Sequence, residues 1–172
     1  MEMIIDEING TFSTVPWQVA LIRLAGALIL GGVIGFERER REKPAGLRTH
    51  MLIAMAACLF IIVSQQLAAL PFGAGDQSNI QVDPLRLVEA VTAGVAFLAA
   101  GIIFTSGGKV QNITTGASMW LAGAIGLACG TGQMPLAAMA TVMVVLLLLL
   151  VRQLERFLGT HDDHDPSASP DK

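Results

Sequence analysis

Charged and aromatic residues are both scarce in this chain of 172 residues. Only 15% of its residues are charged and 5% are aromatic, none of them tyrosine, whereas 53% are hydrophobic. Soluble domains usually carry about 25% charged residues, so this composition indicates a protein whose solvent is the lipid bilayer. Nucleic-acid binding would need a basic face with aromatic stacking platforms. We therefore expect a membrane protein that binds no nucleic acid.

Motifs for catalysis, redox chemistry and nucleotide binding are also missing. Cys58 and Cys129 each lie inside an apolar segment, where a small buried hydrophobic residue is the expected role. The segment Gly107–Lys109 lacks the spacing of a phosphate-binding loop. His161 and His164 flank two aspartates near the end of the chain, a pattern too weak to predict a metal site. We expect no enzyme and no resident cofactor, and leave the binding of Mg²⁺ open.

Five apolar segments predict an all-α, polytopic bundle of transmembrane helices. At about 1.5 Å rise per residue, 17 to 20 residues reach about 26 to 30 Å, enough to cross the hydrocarbon core. The expected spans are Trp17–Phe36, Met51–Leu70, Leu85–Phe104, Ile113–Gly130 and Pro135–Val151. The fourth has the weakest signal because its start is polar. We expect one transmembrane domain over residues 1–158, a disordered polar tail over 159–172, and no cleavable signal peptide.

Basic residues are distributed unevenly between the two sides that five spans create. One side carries Arg38, Arg40, Arg41, Lys43, Arg48, Lys109, Arg152 and Arg156. The opposite side has Arg86 alone, together with several acidic residues. By the positive-inside rule, this asymmetry predicts an N-terminus outside and a C-terminus in the cytoplasm.

Small residues within the spans predict where helices meet. Gly31 and Gly35 form a G-x-x-x-G pattern in the first span, and Gly94 and Gly101 lie in the third. Lipid gives helices no hydrophobic reason to associate, so close approach through small residues takes its place. We interpret these glycines as packing positions, with a permeation path or a hinge as the alternative. The leucine-rich fifth span is expected to face lipid.

Two charged side chains fall inside the predicted spans, where each costs about 2.5–3.5 kcal/mol at mid-membrane. Arg23 lies six residues into the first span. It can either snorkel to the interface or form an internal ion pair. Glu89 can pair with Arg86 one turn earlier or with Arg23 at a similar depth. Both alternatives stay open.

Three segments carry a resemblance to a known family. RLAGALILGGVIGFERERREKPAGLRTHMLI closely resembles the signature of the MgtC/SapB membrane family, and AGVAFLAAGIIF and VQNITTGASMW resemble two further family motifs. The likeness covers about residues 23–132. The positions that match the family motifs are Arg23, Glu37, Arg38, Glu39, Gly46, Leu47, Arg48, Thr49, Asn112, Thr114, Thr115 and Trp120. The chain resembles the short family members that have no C-terminal ACT-like domain.

This resemblance implies a multi-pass protein of the bacterial inner membrane that is linked to magnesium homeostasis and to adaptation to low magnesium. It also implies a link to virulence in some members, and the membrane ATP synthase as a protein partner. The family's magnesium-transport label leaves direct transport open. A non-catalytic regulator acting through homo-oligomeric or other membrane-protein contacts and a small ion or solute transporter or channel are therefore the two functions that we carry forward.

The polar motif residues fall on two loops of the same predicted side, so we expect one functional polar cluster there. Its members are Glu37, Arg38, Glu39, Arg48, Thr49, Asn112, Thr114 and Thr115. We predict a charge network in which Glu37, Arg38 and Arg48 meet the segment 112–115. Hydroxyls, amides and surplus arginines suit a polar gate, or an anionic headgroup or phosphate, better than a Mg²⁺ cage, because arginine would repel the cation.

Overall fold

The structure, a computed structural model, describes residues 14–69 and 83–157 together with Gly10 and Phe12. Five long helices lie within these residues: α1 Trp17–Glu39, α2 Leu47–Ala68, α3 Pro84–Ile102, α4 Ile113–Gly130 and α5 Met134–Phe157. Each contains a stretch that is long and apolar enough to cross a membrane. The prediction of an all-α transmembrane bundle is confirmed. The predicted tail, residues 159–172, lies outside the described residues.

The helices extend beyond the apolar runs at one end of the bundle. α1 continues through Glu39, and α2 begins at Leu47, so residues predicted to lie in a loop are helical. A short antiparallel hairpin, β1 Phe104–Ser106 and β2 Lys109–Gln111, joins α3 to α4. Gly107 and Gly108 form its turn with φ of 58° and 77°, values that favour glycine. Backbone hydrogen bonding, and not side-chain polarity alone, sets where a helix ends.

The helix with the weakest sequence signal, α4, is the most buried. It packs against all four other helices, and 61% of its 18 residues are buried, against 17% of the spanning stretches of α3 and α5. A Cβ at Gly126 would overlap the main-chain carbonyl of Ala54 in α2, and one at Gly130 would lie 2.8 Å from the carbonyl oxygen of Cys58. Only glycine allows backbones to approach this closely.

The four glycines predicted to pack helices divide into two pairs. A Cβ at Gly31 would lie 2.7 Å from the carbonyl oxygen of His50, and one at Gly35 would lie 2.8 Å from Cα of Leu47, so both lie at the contact of α1 with α2. A Cβ at Gly94 or Gly101 would meet no atom of the described residues within 4 Å. These two positions therefore make no close helix contact among the described residues, and a role for them in packing against another chain stays a prediction.

The apolar core runs between α1, α2, α4 and α5. Its fully buried members include Ile34 and Ile125, together with both cysteines, which are free thiols. Cys58 and Cys129 thus have the structural role that the sequence predicts. α5 exposes most of its leucines, among them Leu150. That exposure fits the expected lipid-facing helix.

Candidate functional site

The end of α1 carries a buried charge cluster in which one carboxylate joins two guanidinium groups. Arg38 Nε donates a hydrogen bond of 2.7 Å to Glu37 Oε2, and Arg41 Nε forms an ion pair with Glu37 Oε1. Glu37 Oε1 accepts no hydrogen bond of good geometry from the described residues, so it is stabilised by the ion pair with Arg41. Glu37 is 8% exposed and Arg38 only 2%. Desolvated charges are stable only when paired, so each member depends on the others.

Arg41 also connects α1 to α5. Its Nη2 donates a hydrogen bond of 3.1 Å to the carbonyl oxygen of Leu148. Arg40, by contrast, lies over the ring of Phe36, 5.7 Å from the ring centroid, on the outside of the bundle. Neighbouring arginines therefore have different tasks: one contacts the carboxylate and α5, the other an exposed aromatic ring.

Three more of the predicted site residues, Glu39, Arg48 and Thr49, lie at or contact the start of α2. Glu39 Oε2 accepts a hydrogen bond of 2.7 Å from the backbone N–H of Leu47, which places a negative charge at the helix N-terminus. Thr49 is half-buried and Arg48 is exposed. The predicted network of Glu37 and Arg38 with Arg48 is corrected, because Arg41 holds the position given to Arg48. The helical phase of α2 turns Arg48 outward.

His50 is a site residue that the sequence reasoning missed. The side chain is fully buried between α1, α2 and α4. Its Nδ1 lies 2.8 Å from the carbonyl oxygen of Gly46, and its Nε2 lies 3.0 Å from Ser118 Oγ in α4. A carbonyl only accepts, so Nδ1 carries the proton. The signal in the sequence was the helical spacing of His50 with the small residues Ala54 and Cys58 on one face.

Ser118 joins this histidine to the start of α4. Its hydroxyl lies 2.9 Å from the carbonyl oxygen of Thr115, one turn earlier in the same helix. The single hydroxyl proton serves either Nε2 of the neutral ring or the Thr115 carbonyl. Thr115 is 1% exposed and Ser118 is 3% exposed, so a buried polar chain leads from α2 to the first turn of α4.

A cavity of about 400 Å³ lies between the end of α1, the hairpin with the start of α4, and α5. We name it the basic pocket; its lining is Arg38, Arg41, Lys43, Val110, Gln111, Asn112, Ile113, Thr114, Thr115, Leu147, Leu148 and Val151. The structure thus brings Arg38 together with the predicted segment 112–115. Among the described residues, the lining contains three cationic side chains and no carboxylate.

At the opposite end of the bundle, Arg23 has neutral partners. Its Nη1 donates to Gln65 Oε1 at 3.1 Å and to the carbonyl oxygen of Gly130 at 2.8 Å. The second bond places a cation at the C-terminus of α4, where the helix dipole favours it. Glu89 lies exposed on α3. The contacts of Arg23 are therefore with α2 and α4, and not with Glu89.

Neither end of the described bundle forms a metal cage from acidic, sulfur or imidazole ligands. Within residues 14–69 and 83–157, no group of three His, Cys, Asp or Glu side chains is arranged to hold a metal ion. Glu37 and Glu39 each have a cationic or N–H partner already. The arrangement is better suited to holding acceptor groups than cations.

Five helices able to cross a membrane, with buried polar groups at their ends, define the class: a multi-pass membrane protein. Comparison with known proteins gives the family. The model of the MgtC family matches residues 24–157. The chain belongs to the MgtC family, as the resemblance predicted.

Several curated proteins are similar over most of this chain. Protein MgtC of Brucella abortus (strain 2308) is 41% identical over 135 residues, which cover 78% of this chain and 52% of that protein. Putative magnesium transporter YhiD of Escherichia coli K12 is 39% identical over 137 residues, 78% of this chain and 61% of that protein. An uncharacterized Synechocystis protein is 34% identical over 148 residues, 86% of this chain and 58% of that protein.

The chain therefore spans about half to three fifths of the length of the curated relatives that it matches. No solved structure matches it significantly.

Proposed function

We propose that the chain is a non-catalytic regulator of magnesium homeostasis that acts through contacts with membrane proteins, including further copies of itself. The bacterial inner membrane is its proposed location. The membrane ATP synthase is the partner that the family resemblance suggests. The observation that carries the proposal is the closed interior of the described bundle between its two polar ends.

The middle of the bundle is apolar and tightly packed. Ile34 of α1, Ala54 of α2 and Ile125 of α4 are each at most 2% exposed, and Gly126 touches the backbone of Ala54. Mg²⁺ loses its bound water reluctantly, and it needs oxygen ligands along any path through a protein. Such a packed interior offers neither the space nor the ligands. Arginines at both ends would further repel the cation, which supports a regulator more than a monomeric channel.

A transporter or channel for magnesium is the second candidate. It is favoured by the 39% identity to the Escherichia coli protein named as a putative magnesium transporter. In this case the ion would have to pass between copies of the chain, or through a conformation in which α2 and α4 separate. The two candidates therefore differ in a measurable quantity, the flux of Mg²⁺.

The test is a flux measurement in liposomes combined with a growth assay. The purified full chain is reconstituted, and Mg²⁺ entry is followed with a trapped magnesium dye against protein-free liposomes. We expect the same rate in both, while the same protein restores growth in low magnesium to a strain that depends on it. A saturable Mg²⁺ flux that is lost in the Glu37→Ala variant and kept in the Glu42→Ala variant would contradict the regulator and support the transporter.

A further inference from the structure

The guanidinium of Arg38 is buried with most of its donors unused. Its side chain is 3% exposed, and its single hydrogen bond to the described residues is the one from Nε to Glu37. A guanidinium has five N–H donors, so the two terminal nitrogens hold four that no hydrogen bond among the described residues uses. Because Arg38 lines the basic pocket, these donors are available to what occupies it.

The first turn of α4 adds a second set of unused donors to the same pocket. Asn112 precedes the helix with φ of 64°, and its side chain does not cap the helix. Instead, its Nδ2 donates a hydrogen bond of 3.2 Å to the carbonyl oxygen of Ile102. The backbone N–H groups of Ile113, Thr114 and Thr115 therefore begin α4 without a side-chain acceptor. Uncapped helix N-termini attract anions through these N–H groups and through the helix dipole.

The charged side chains that line the basic pocket among the described residues are all cationic. Arg38, Arg41 and Lys43 line it, and the nearby carboxylate of Glu37, which is not part of the lining, opposes only part of their charge. Arginine forks and helix N-termini recognise the same chemistry, namely several acceptor oxygens on one negatively charged group. A phosphate group has this form.

We propose that the basic pocket binds the phosphate group of an anionic ligand. This inference does not depend on whether the chain regulates or transports. Arg38, Arg41 and Lys43 supply charge, and the first turn of α4 supplies N–H donors. The volume of about 400 Å³ is sufficient for a phosphate group with part of its substituent. The ligand is either the headgroup of an acidic phospholipid or a soluble phosphate.

Two probes separate these sources. The full chain is purified in an uncharged detergent and titrated with inorganic phosphate by calorimetry. In parallel, it is exposed to phosphatidylglycerol or to phosphatidylcholine, and retained lipid is counted by native mass spectrometry. Saturable phosphate binding identifies a soluble ligand. Selective retention of phosphatidylglycerol without phosphate binding identifies a lipid headgroup. Either result supports the proposal.

Matched variants locate the binding site. Arg38→Gln would disturb a buried ion pair and with it the fold, so the exposed Lys43 is the test position. We expect Lys43→Gln to weaken binding about tenfold, the loss of one charge-assisted contact. Arg40→Gln removes the same charge three residues away, outside the basic pocket, and should bind as the wild type does.

Two results would overturn the proposal. One is the absence of saturable binding to both probes. The other is equal weakening by Lys43→Gln and Arg40→Gln, since this would show attraction to the general positive charge of the segment and not to the pocket.

Discussion

A single buried side chain, His50, holds three helices in register at the basic end of the bundle. Its Cβ packs against Gly35 of α1, its Nδ1 contacts the carbonyl oxygen of Gly46, and its Nε2 reaches Ser118 in α4, 68 residues later in the chain. Its 0% exposure means that water cannot replace a lost partner. The hydrogen bond to Ser118 is therefore a structural connection of α2 to α4.

Ser118→Ala should lower the stability of the bundle by about 1–2 kcal/mol. It leaves Nε2 of His50 buried without a partner, a penalty of about 1–3 kcal/mol in general. Hydrogen bonds between helices in membranes contribute about 0.6 kcal/mol on average, so the expected loss lies below the upper end of that range. Thermal unfolding of the detergent-purified protein measures the change.

Ser64→Ala is the matched control, because the hydroxyl of Ser64 donates, among the described residues, to the carbonyl oxygen of Ile61 in its own helix, at 3.2 Å. We expect it to leave the unfolding temperature almost unchanged. Equal effects of the two substitutions would show that the His50–Ser118 hydrogen bond contributes nothing specific.

The sequence predicts the position of some residues at the basic end of the bundle but not of others, for a physical reason. Glu37 and Arg38 follow directly after an apolar helix, so their position near the membrane boundary could be predicted. The partner of Glu37 could not be assigned between Arg41 and Arg48 without the phase of α2. The pairing of His50 with Ser118 depends on tertiary contact between distant segments, which one sequence does not contain.

At the scale of the elements, glycine spacing decides which helix is central. The glycines of α4 at positions 126 and 130 meet α2 at distances that exclude a side chain, and those at positions 116 and 123 pack tightly against α3. Its polar first turn, which weakened its signal as a membrane span, belongs to the basic pocket. The hairpin before it was not predicted, because strands of three residues are too short to show a periodic pattern.

Gly126→Ala should destabilise the bundle by at least about 3 kcal/mol, the upper range for overpacking, because the new methyl group would overlap backbone atoms of Ala54. Gly94→Ala is the control within α3. With no atom of the described residues near its Cβ, it should be neutral or stabilise α3 by up to about 1 kcal/mol through helix propensity. The unfolding temperatures of both variants measure this difference. Similar losses in the two would contradict the central position of α4.

At the scale of the whole molecule, the elements around the basic pocket must share one side of the membrane. The pocket joins the segment after α1, the hairpin before α4 and the part of α5 near Val151. The structure therefore places the connection at Lys43 and the C-terminal part of α5 at the same end. Which side this end faces is a prediction from the basic residues alone.

Reporter fusions after Lys43 and after Arg156 should both report the cytoplasm, because the basic residues are concentrated at this end. A fusion after Asp83, at the start of α3, should report the opposite side. A periplasmic signal from either of the first two fusions would contradict the predicted orientation. A disagreement between those two would also contradict the arrangement of the five helices.

The basic end, and not the predicted tail, should carry the function of the molecule in cells. Glu37→Ala leaves the buried guanidinium of Arg38 and the half-buried one of Arg41 without their carboxylate, and breaking a buried pair typically costs about 3–5 kcal/mol. Removal of residues 160–172 takes away a polar segment that the sequence predicts to be disordered. In a strain that depends on this protein, growth in low magnesium should fail with Glu37→Ala at normal membrane abundance, and survive both the truncation and Glu42→Ala. The reverse result, a tolerated Glu37→Ala and a lethal truncation, would move the active element to the segment containing His161 and His164.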